Sequence, residues 1–71
     1  MTEKEYLKQL GERISKGREE KGLSGEALAE KVKLTRMHVY RIEKGRHPTS
    51  IIILRRISKE LGISLKELIN I

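Results

Sequence analysis

The fold is decided by residues Leu23–Gly45, which have the sequence LSGEALAEKVKLTRMHVYRIEKG. Apolar residues recur at three- and four-residue spacing in two short segments, 24–32 and 35–44, and this spacing predicts two helices. Because almost no connector separates the segments, the helices must cross sharply. Small and aliphatic residues on the inward faces would then pack the pair against the rest of the chain: Leu28, Ala29, Val32, Val39 and Ile42.

The second helix of this pair keeps one face free. Four side chains lie on that face, namely Arg36, Met37, Tyr40 and Arg41. Side chains of these types hydrogen-bond to base edges or pack on them, so the face predicts recognition of duplex DNA. Alternatively, the arginines simply face solvent, and Met37 and Tyr40 fill surface space or pack on a neighbouring helix.

Helix start signals extend the helical pattern over the whole chain. Hydroxyl residues stand where N-caps are expected, at Thr2, Ser24, Thr35, Ser50 and Ser64. They predict helices at about 3–21, 24–32, 35–44, 50–61 and 64–70, with glycine at 22, 45 and 62 near three of the ends. The predicted inward faces include Leu7, Leu10 and Ile14 in the first helix, Ile51, Leu54, Ile57 and Leu61 in the fourth, and Leu65, Leu68 and Ile69 in the fifth. No convincing strand pattern occurs, so we predict a single all-α domain over residues 1–71.

The net charge of +6 is concentrated between residues 31 and 56. This segment has eight lysines or arginines and one acid, Glu43, so it carries +7 and the remainder of the chain carries −1. A localised positive surface attracts a phosphate backbone through ion pairing and counterion release. A solvated basic face is the alternative, and charge alone does not separate the two explanations.

Composition argues against several other classes of function. A chain of 71 residues has a small core and little room for an enclosed catalytic cleft. There is no cysteine for a thiolate metal site or a disulfide, and His38 and His47 are expected to face solvent. We therefore predict no catalytic site, metal or cofactor. No apolar run approaches the roughly 20 residues that span a bilayer, and a signal peptide is not evident, so we expect a cytoplasmic protein without membrane contact.

The order of these features resembles the Cro and lambda-repressor type of helix-turn-helix DNA-binding domain. The matching positions are Leu10-Gly11, Arg13-Ile14, Gly22-Leu23-Ser24, Leu28-Ala29, Thr35, Val39, Ile42-Glu43-Lys44-Gly45 and Leu61-Gly62-Ile63-Ser64, within residues 10–69. The resemblance implies a compact five-helix fold with the helix at Thr35 in the major groove. By position it implies base contacts from Arg36, Met37, Tyr40 and Arg41 and phosphate contacts from Ser24, Gly25, Thr35, Lys44 and Arg46. It also implies a structural ion pair between Arg18 and Glu43.

Four residues depart from the pattern of that family, of which Pro48 falls one position early in the loop after Gly45. Gly25 replaces a common glutamine that contacts phosphate, which leaves a backbone amide at the helix start for the contact. Lys33 replaces the usual turn glycine and is expected at positive φ, at a cost of about 1 kcal/mol. Gly17 replaces a larger apolar residue, and we expect it to weaken the first helix and to leave a gap.

Two functional hypotheses follow. The first is a transcriptional regulator, expected to repress by occupancy, that binds double-stranded DNA as a homodimer on a two-fold symmetric operator with half-sites about one helical turn apart. Ile52 and the apolar tail 68–71 are the candidates for its dimer contact. The alternative is an adaptor or antitoxin-like module that chiefly binds a protein partner, which requires a broad exposed apolar patch. An enzyme is disfavoured, because no glycine-rich phosphate loop or nucleophile-with-base pairing occurs.

Overall fold

Every helix of the protein begins at a hydroxyl side chain. In the computed structural model, which describes all 71 residues, the side chains of Thr2, Ser24, Thr35, Ser50 and Ser64 each accept a hydrogen bond from a backbone amide in the following turn. The helices are α1 (Glu3–Glu20), α2 (Gly25–Lys31), α3 (Arg36–Glu43), α4 (Ile51–Leu61) and α5 (Leu65–Ile69). Their bounds lie within one residue of the predicted ones, and the all-α class is confirmed. None of the five combines the length and apolarity that a membrane span requires.

The core lies where α1, α4 and α5 meet the α2–α3 pair. It consists of Leu10, Ile14, Leu28, Ala29, Val32, Val39, Ile42, Leu54, Ile57, Leu61 and Leu68. Four predicted core positions differ from this set, since Leu7, Leu65 and Ile69 are only half-buried and Ile51 is 53% exposed. Ile51 is the first residue of α4 and lies beyond the buried part of the helix. Ser58 is buried instead, and its hydroxyl donates to the carbonyl of Arg55 at 2.9 Å, which removes the cost of burying it.

Two glycines allow α1 to contact the C-terminal end of α3 through the backbone. A Cβ atom on Gly11 would lie 2.4 Å from the carbonyl oxygen of Glu43, and one on Gly45 would lie 2.7 Å from the Cα of Lys8. Gly45 also has φ +69°, a left-handed conformation that glycine adopts without strain. The position of the end of α3 is therefore fixed by backbone contact with α1.

Gly17 does not leave the predicted gap. It is buried, and a Cβ atom there would lie 3.0 Å from Cδ1 of Ile63 and 3.2 Å from Cδ1 of Leu61. These two side chains, at the end of α4 and just after it, occupy the space that a larger residue would fill. The prediction of a gap was wrong because it considered only α1.

The apolar tail is folded back on its own chain. Leu68 is 1% exposed, and Ile69 and Ile71 are half-buried against the core. The hydroxyl of Tyr6 donates to the carbonyl of Ile69 at 2.6 Å and so joins α1 to the end of α5. The tail was predicted as one candidate for the dimer contact, but these intramolecular contacts occupy much of its apolar surface.

Candidate nucleic-acid interface

The turn between α2 and α3 is closed by backbone hydrogen bonds. The amide of Leu34 donates to the carbonyl of Ala29 at 2.8 Å, and the amide of Lys33 donates to the carbonyl of Glu30 at 3.3 Å. Lys33 has φ +60°, which confirms the positive φ predicted at the position of the usual glycine. Val32 is fully buried beside the turn and anchors it to the core. The angle between the two helices is therefore set by a turn of only a few residues.

The structure places all four predicted base-contacting residues on one exposed face of α3. Arg36, Met37, Tyr40 and Arg41 are exposed, whereas Val39 and Ile42 on the opposite face are buried. Met37 and Tyr40 retain 56% and 46% of their accessible surface, so a large part of each side chain faces solvent.

The predicted phosphate-contacting residues lie at the start of α2, at the start of α3 and just beyond the end of α3. The hydroxyls of Ser24 and Thr35 accept hydrogen bonds of 3.0 and 3.1 Å from the amides of Ala27 and His38. Each hydroxyl hydrogen stays available as a donor to an anion. Gly25 has open space where a side chain would stand, because a Cβ atom there meets nothing within 4 Å. Lys44 and Arg46 are exposed just beyond α3.

Arg18 and Glu43 form the ion pair that the resemblance implies. Nε of Arg18 donates to Oε2 of Glu43 at 2.7 Å, and Nη2 donates to Oε1 at 3.1 Å. Nη1 donates to the carbonyl of Leu23 at 2.8 Å, so one guanidinium connects α1, the end of α3 and the start of α2. The side chains of the pair are 17% and 10% exposed. The hydrogen bonds with Glu43 raise the pKa of Arg18, which burial opposes.

This ion pair also shapes the charge of the surface. Glu43 is the single acid in residues 31–56, and the pair withdraws its carboxylate from solvent. The eight basic residues of the segment are all exposed: Lys31, Lys33, Arg36, Arg41, Lys44, Arg46, Arg55 and Arg56. The exposed charges that residues 31–56 themselves present to an anion are therefore positive, which favours binding of a phosphate backbone. Two exposed acids outside the segment, Glu26 and Glu30 of α2, share a surface hollow with Arg36.

His38 differs from the expectation of a solvent-facing residue, whereas His47 is exposed as expected. The ring of His38 is half-buried and meets the ring of His47 edge-on, with centroids 4.9 Å apart. Its Nε2 atom is buried without a hydrogen-bond partner. Sequence reasoning missed this contact because it joins α3 to the loop that follows, and the spacing of the two residues carries no signal of it. No group of three or more metal-ligating side chains occurs around them.

Comparison with known proteins supports the fold and the family to which it belongs. The helix-turn-helix family model matches residues 14–68. An uncharacterised helix-turn-helix transcriptional regulator of Methanothermobacter thermautotrophicus is 45% identical over 49 residues, which cover 69% of this chain and 71% of that relative. The control protein C.MunI of Mycoplasma sp. is 39% identical over 62 residues, which cover 86% of this chain and 84% of C.MunI.

A solved structure shows the same arrangement of helices. The restriction-modification controller protein C.AhdI of Aeromonas hydrophila superposes with a TM-score of 0.83 at 34% identity, over 87% of this chain and 94% of C.AhdI. The predicted resemblance to repressor-type domains is therefore confirmed at the level of the fold.

Proposed function

We propose that this chain, which belongs to the helix-turn-helix family and is a DNA-binding transcriptional regulator, recognises a specific duplex sequence with α3 in the major groove and represses by occupying its operator. The exposed outer face of α3 carries the proposal, because it combines two arginines with a thioether and an aromatic ring that the protein itself does not cover. The major groove, about 12 Å wide, accepts an α-helix.

Arg36 and Arg41 are proposed to recognise bases, and Lys44 and Arg46 are proposed to hold phosphates. The two arginines project from the exposed face of α3, where a guanidinium can donate two hydrogen bonds to guanine O6 and N7. Lys44 and Arg46 lie beyond the end of the helix and face the flanking backbone. Ser24, Gly25 and Thr35 are proposed to contact phosphate through hydroxyl and backbone donors at the starts of α2 and α3.

Selection of bound sequences from a random duplex pool tests the proposal first. An enriched inverted repeat supports sequence-specific binding, whereas no enrichment would favour the alternative that the fold chiefly binds a protein. Alanine variants, compared in competition binding at several salt concentrations, then distinguish the residues proposed to recognise bases from those proposed to hold phosphates.

Arg36→Ala and Arg41→Ala should each relax preference at one position per half-site, because a bidentate arginine contributes about 1–3 kcal/mol of discrimination. Lys44→Ala and Arg46→Ala should reduce the affinity for all duplexes alike. They should also reduce the magnitude of the slope of log affinity against log salt concentration by about one for each phosphate that is no longer neutralised. If the lysine variant changes base preference and the arginine variants do not, the placement of α3 in the groove is wrong.

The regulator is further proposed to act as a homodimer through the exposed start of α4. Ile51 and Ile52 are 53% and 52% exposed, and they are adjacent. Ile52 shares a surface hollow with the basic residues Arg55, Arg56 and Lys59. Because a two-fold contact there would bring like charges together, the free protein should dimerise weakly and more tightly as salt screens the repulsion.

A narrower form of the function concerns what is regulated. C.AhdI is a restriction-modification controller and C.MunI is a control protein, and each aligns with this chain over most of its own length. We therefore propose that the operator controls genes of a restriction-modification system. Mapping the selected sequence onto the source genome tests this, and an operator far from any methyltransferase or endonuclease gene would contradict it.

A further inference from the structure

Two apolar side chains stand in the middle of the most basic surface of the protein. Met37 and Tyr40 lie three residues apart on α3 and therefore on the same face of the helix. With Arg36 they line one open pocket of about 580 Å³, to which no other residue contributes. A surface that only held phosphates would gain nothing from a thioether and an aromatic ring at this place.

The major groove of DNA presents an apolar group that can pack in this pocket. The base pairs present hydrogen-bonding atoms there with one apolar exception, the C5-methyl group of thymine. Cytosine acquires the same group when it is methylated at C5. We propose that Met37 and Tyr40 recognise a pyrimidine C5-methyl group beside a guanine that Arg36 contacts. This inference rests on the proposed placement of α3 in the major groove.

The chemistry of the two side chains fits this assignment. The sulfur of Met37 is at most a weak acceptor and donates no hydrogen bond, so the side chain distinguishes bases through apolar contact. Its unbranched, polarisable chain adapts to the shape of a small apolar group. Nζ of Lys44 lies 5.6 Å from the ring centroid of Tyr40, within the range of about 6 Å for a cation–π contact. The pocket thus joins an aromatic wall to an adaptable thioether chain.

Deoxyuridine gives a direct test, since it pairs like thymine and lacks only the methyl group. After the operator has been selected, each thymine of a half-site is replaced in turn, and the dissociation constant is measured for the intact chain. We expect one position per half-site at which the replacement weakens binding about fourfold, the effect of one buried methyl-sized group. Replacements outside the half-sites are the matched control and should have no effect.

The protein variants then identify the residues responsible. Met37→Gln keeps the length of the side chain and should bring the ratio of the affinities for the thymine and deoxyuridine duplexes at that position toward one. Tyr40→Ala should do the same. Tyr40→Phe retains the ring and should preserve the ratio. Circular dichroism establishes that each variant is folded.

A second set of duplexes distinguishes the two sources of the methyl group. The sensitive A·T pair is replaced by G·C and by G·5-methylcytosine, and the methylated pair should bind about fourfold better than the unmethylated one. If no thymine replacement matters while Arg36→Ala still relaxes base preference, the methyl inference is wrong and the proposed function stands. If the effect is present but survives both Met37→Gln and Tyr40→Ala, other residues make the contact and the inference is overturned. If no duplex is enriched at all, the proposed function itself fails.

Discussion

Removing the carboxylate of Glu43 should destabilise the protein by about 2–3 kcal/mol. Breaking a fully buried ion pair costs about 3–5 kcal/mol, and an exposed pair is worth at most about 1 kcal/mol. The Arg18–Glu43 pair lies nearer the first limit, because its side chains are only 17% and 10% exposed and its two hydrogen bonds are 2.7 and 3.1 Å long. The carbonyl of Leu23 still accepts from Arg18 in the variant, which reduces the destabilisation.

Urea denaturation of Glu43→Ala, Arg18→Met and the double variant measures this coupling. For a domain of this size, about 2–3 kcal/mol corresponds to a fall in Tm of roughly 10–20 °C. The double variant should lose less stability than the two single variants together, with a coupling energy of about 2 kcal/mol. Glu43→Gln is the conservative comparison, because it keeps the shape and one acceptor, while it removes the charge and puts an NH2 donor in place of the second acceptor. A coupling energy below about 0.5 kcal/mol would refute the argument from burial.

The stabilisation by the Arg18–Glu43 pair should not change between neutral and moderately alkaline pH. Hydrogen bonding to Glu43 raises the pKa of Arg18 in the folded protein. A group whose pKa is raised on folding stabilises the folded protein fully at pH values below its pKa in the unfolded chain. This stabilisation is lost only as the pH rises through the pKa in the folded protein. Both values lie far above neutrality, so the coupling energy should be equal at about pH 7 and pH 9. A coupling that fell over this interval would contradict the assignment of Arg18 as the permanently charged partner.

Gly11→Ala should destabilise the protein by more than about 2 kcal/mol despite the better helix propensity of alanine, since its Cβ would lie 2.4 Å from a backbone carbonyl oxygen. An unchanged free energy of unfolding in urea would contradict the close contact of α1 with α3. Lys33→Gly should stabilise by about 1 kcal/mol, because the lysine has φ +60° in the folded state, and a lower Tm would count against this. Gly25→Gln fills open space at the start of α2 and should tighten binding to all duplexes by adding a phosphate contact, which a comparison of operator and non-specific DNA would measure. Ile52→Lys removes the apolar contact and adds to the positive charge beside it, so it should abolish dimers in sedimentation velocity while leaving the fold intact by circular dichroism; persistent dimers would show that self-association uses another surface.

The helices and the exposed recognition face were predictable from sequence because their causes are local. A hydroxyl that accepts from an amide three residues later defines a helix start wherever the chain lies in space, as Ser24 and Thr35 illustrate. The spacing of Val39 and Ile42 fixes which side of α3 is buried, and the opposite side follows from helix geometry. The positive φ at Lys33 was predicted from the resemblance, which places a turn glycine at that position.

Other properties were decided only when distant segments met. Gly17 was expected to leave a gap, but Leu61 and Ile63 fill it from the far end of α4. Ile51 matched the apolar spacing of α4 and is nevertheless exposed, because spacing gives the direction of a side chain and not whether another element covers it. The contact of His38 with His47 and the packing of the tail against Tyr6 arise in the same way. Caps and apolar spacing act between residues that are close in sequence, so they can be recognised there. Burial depends on contacts between segments that are distant in sequence, and the spacing of these segments follows no regular pattern.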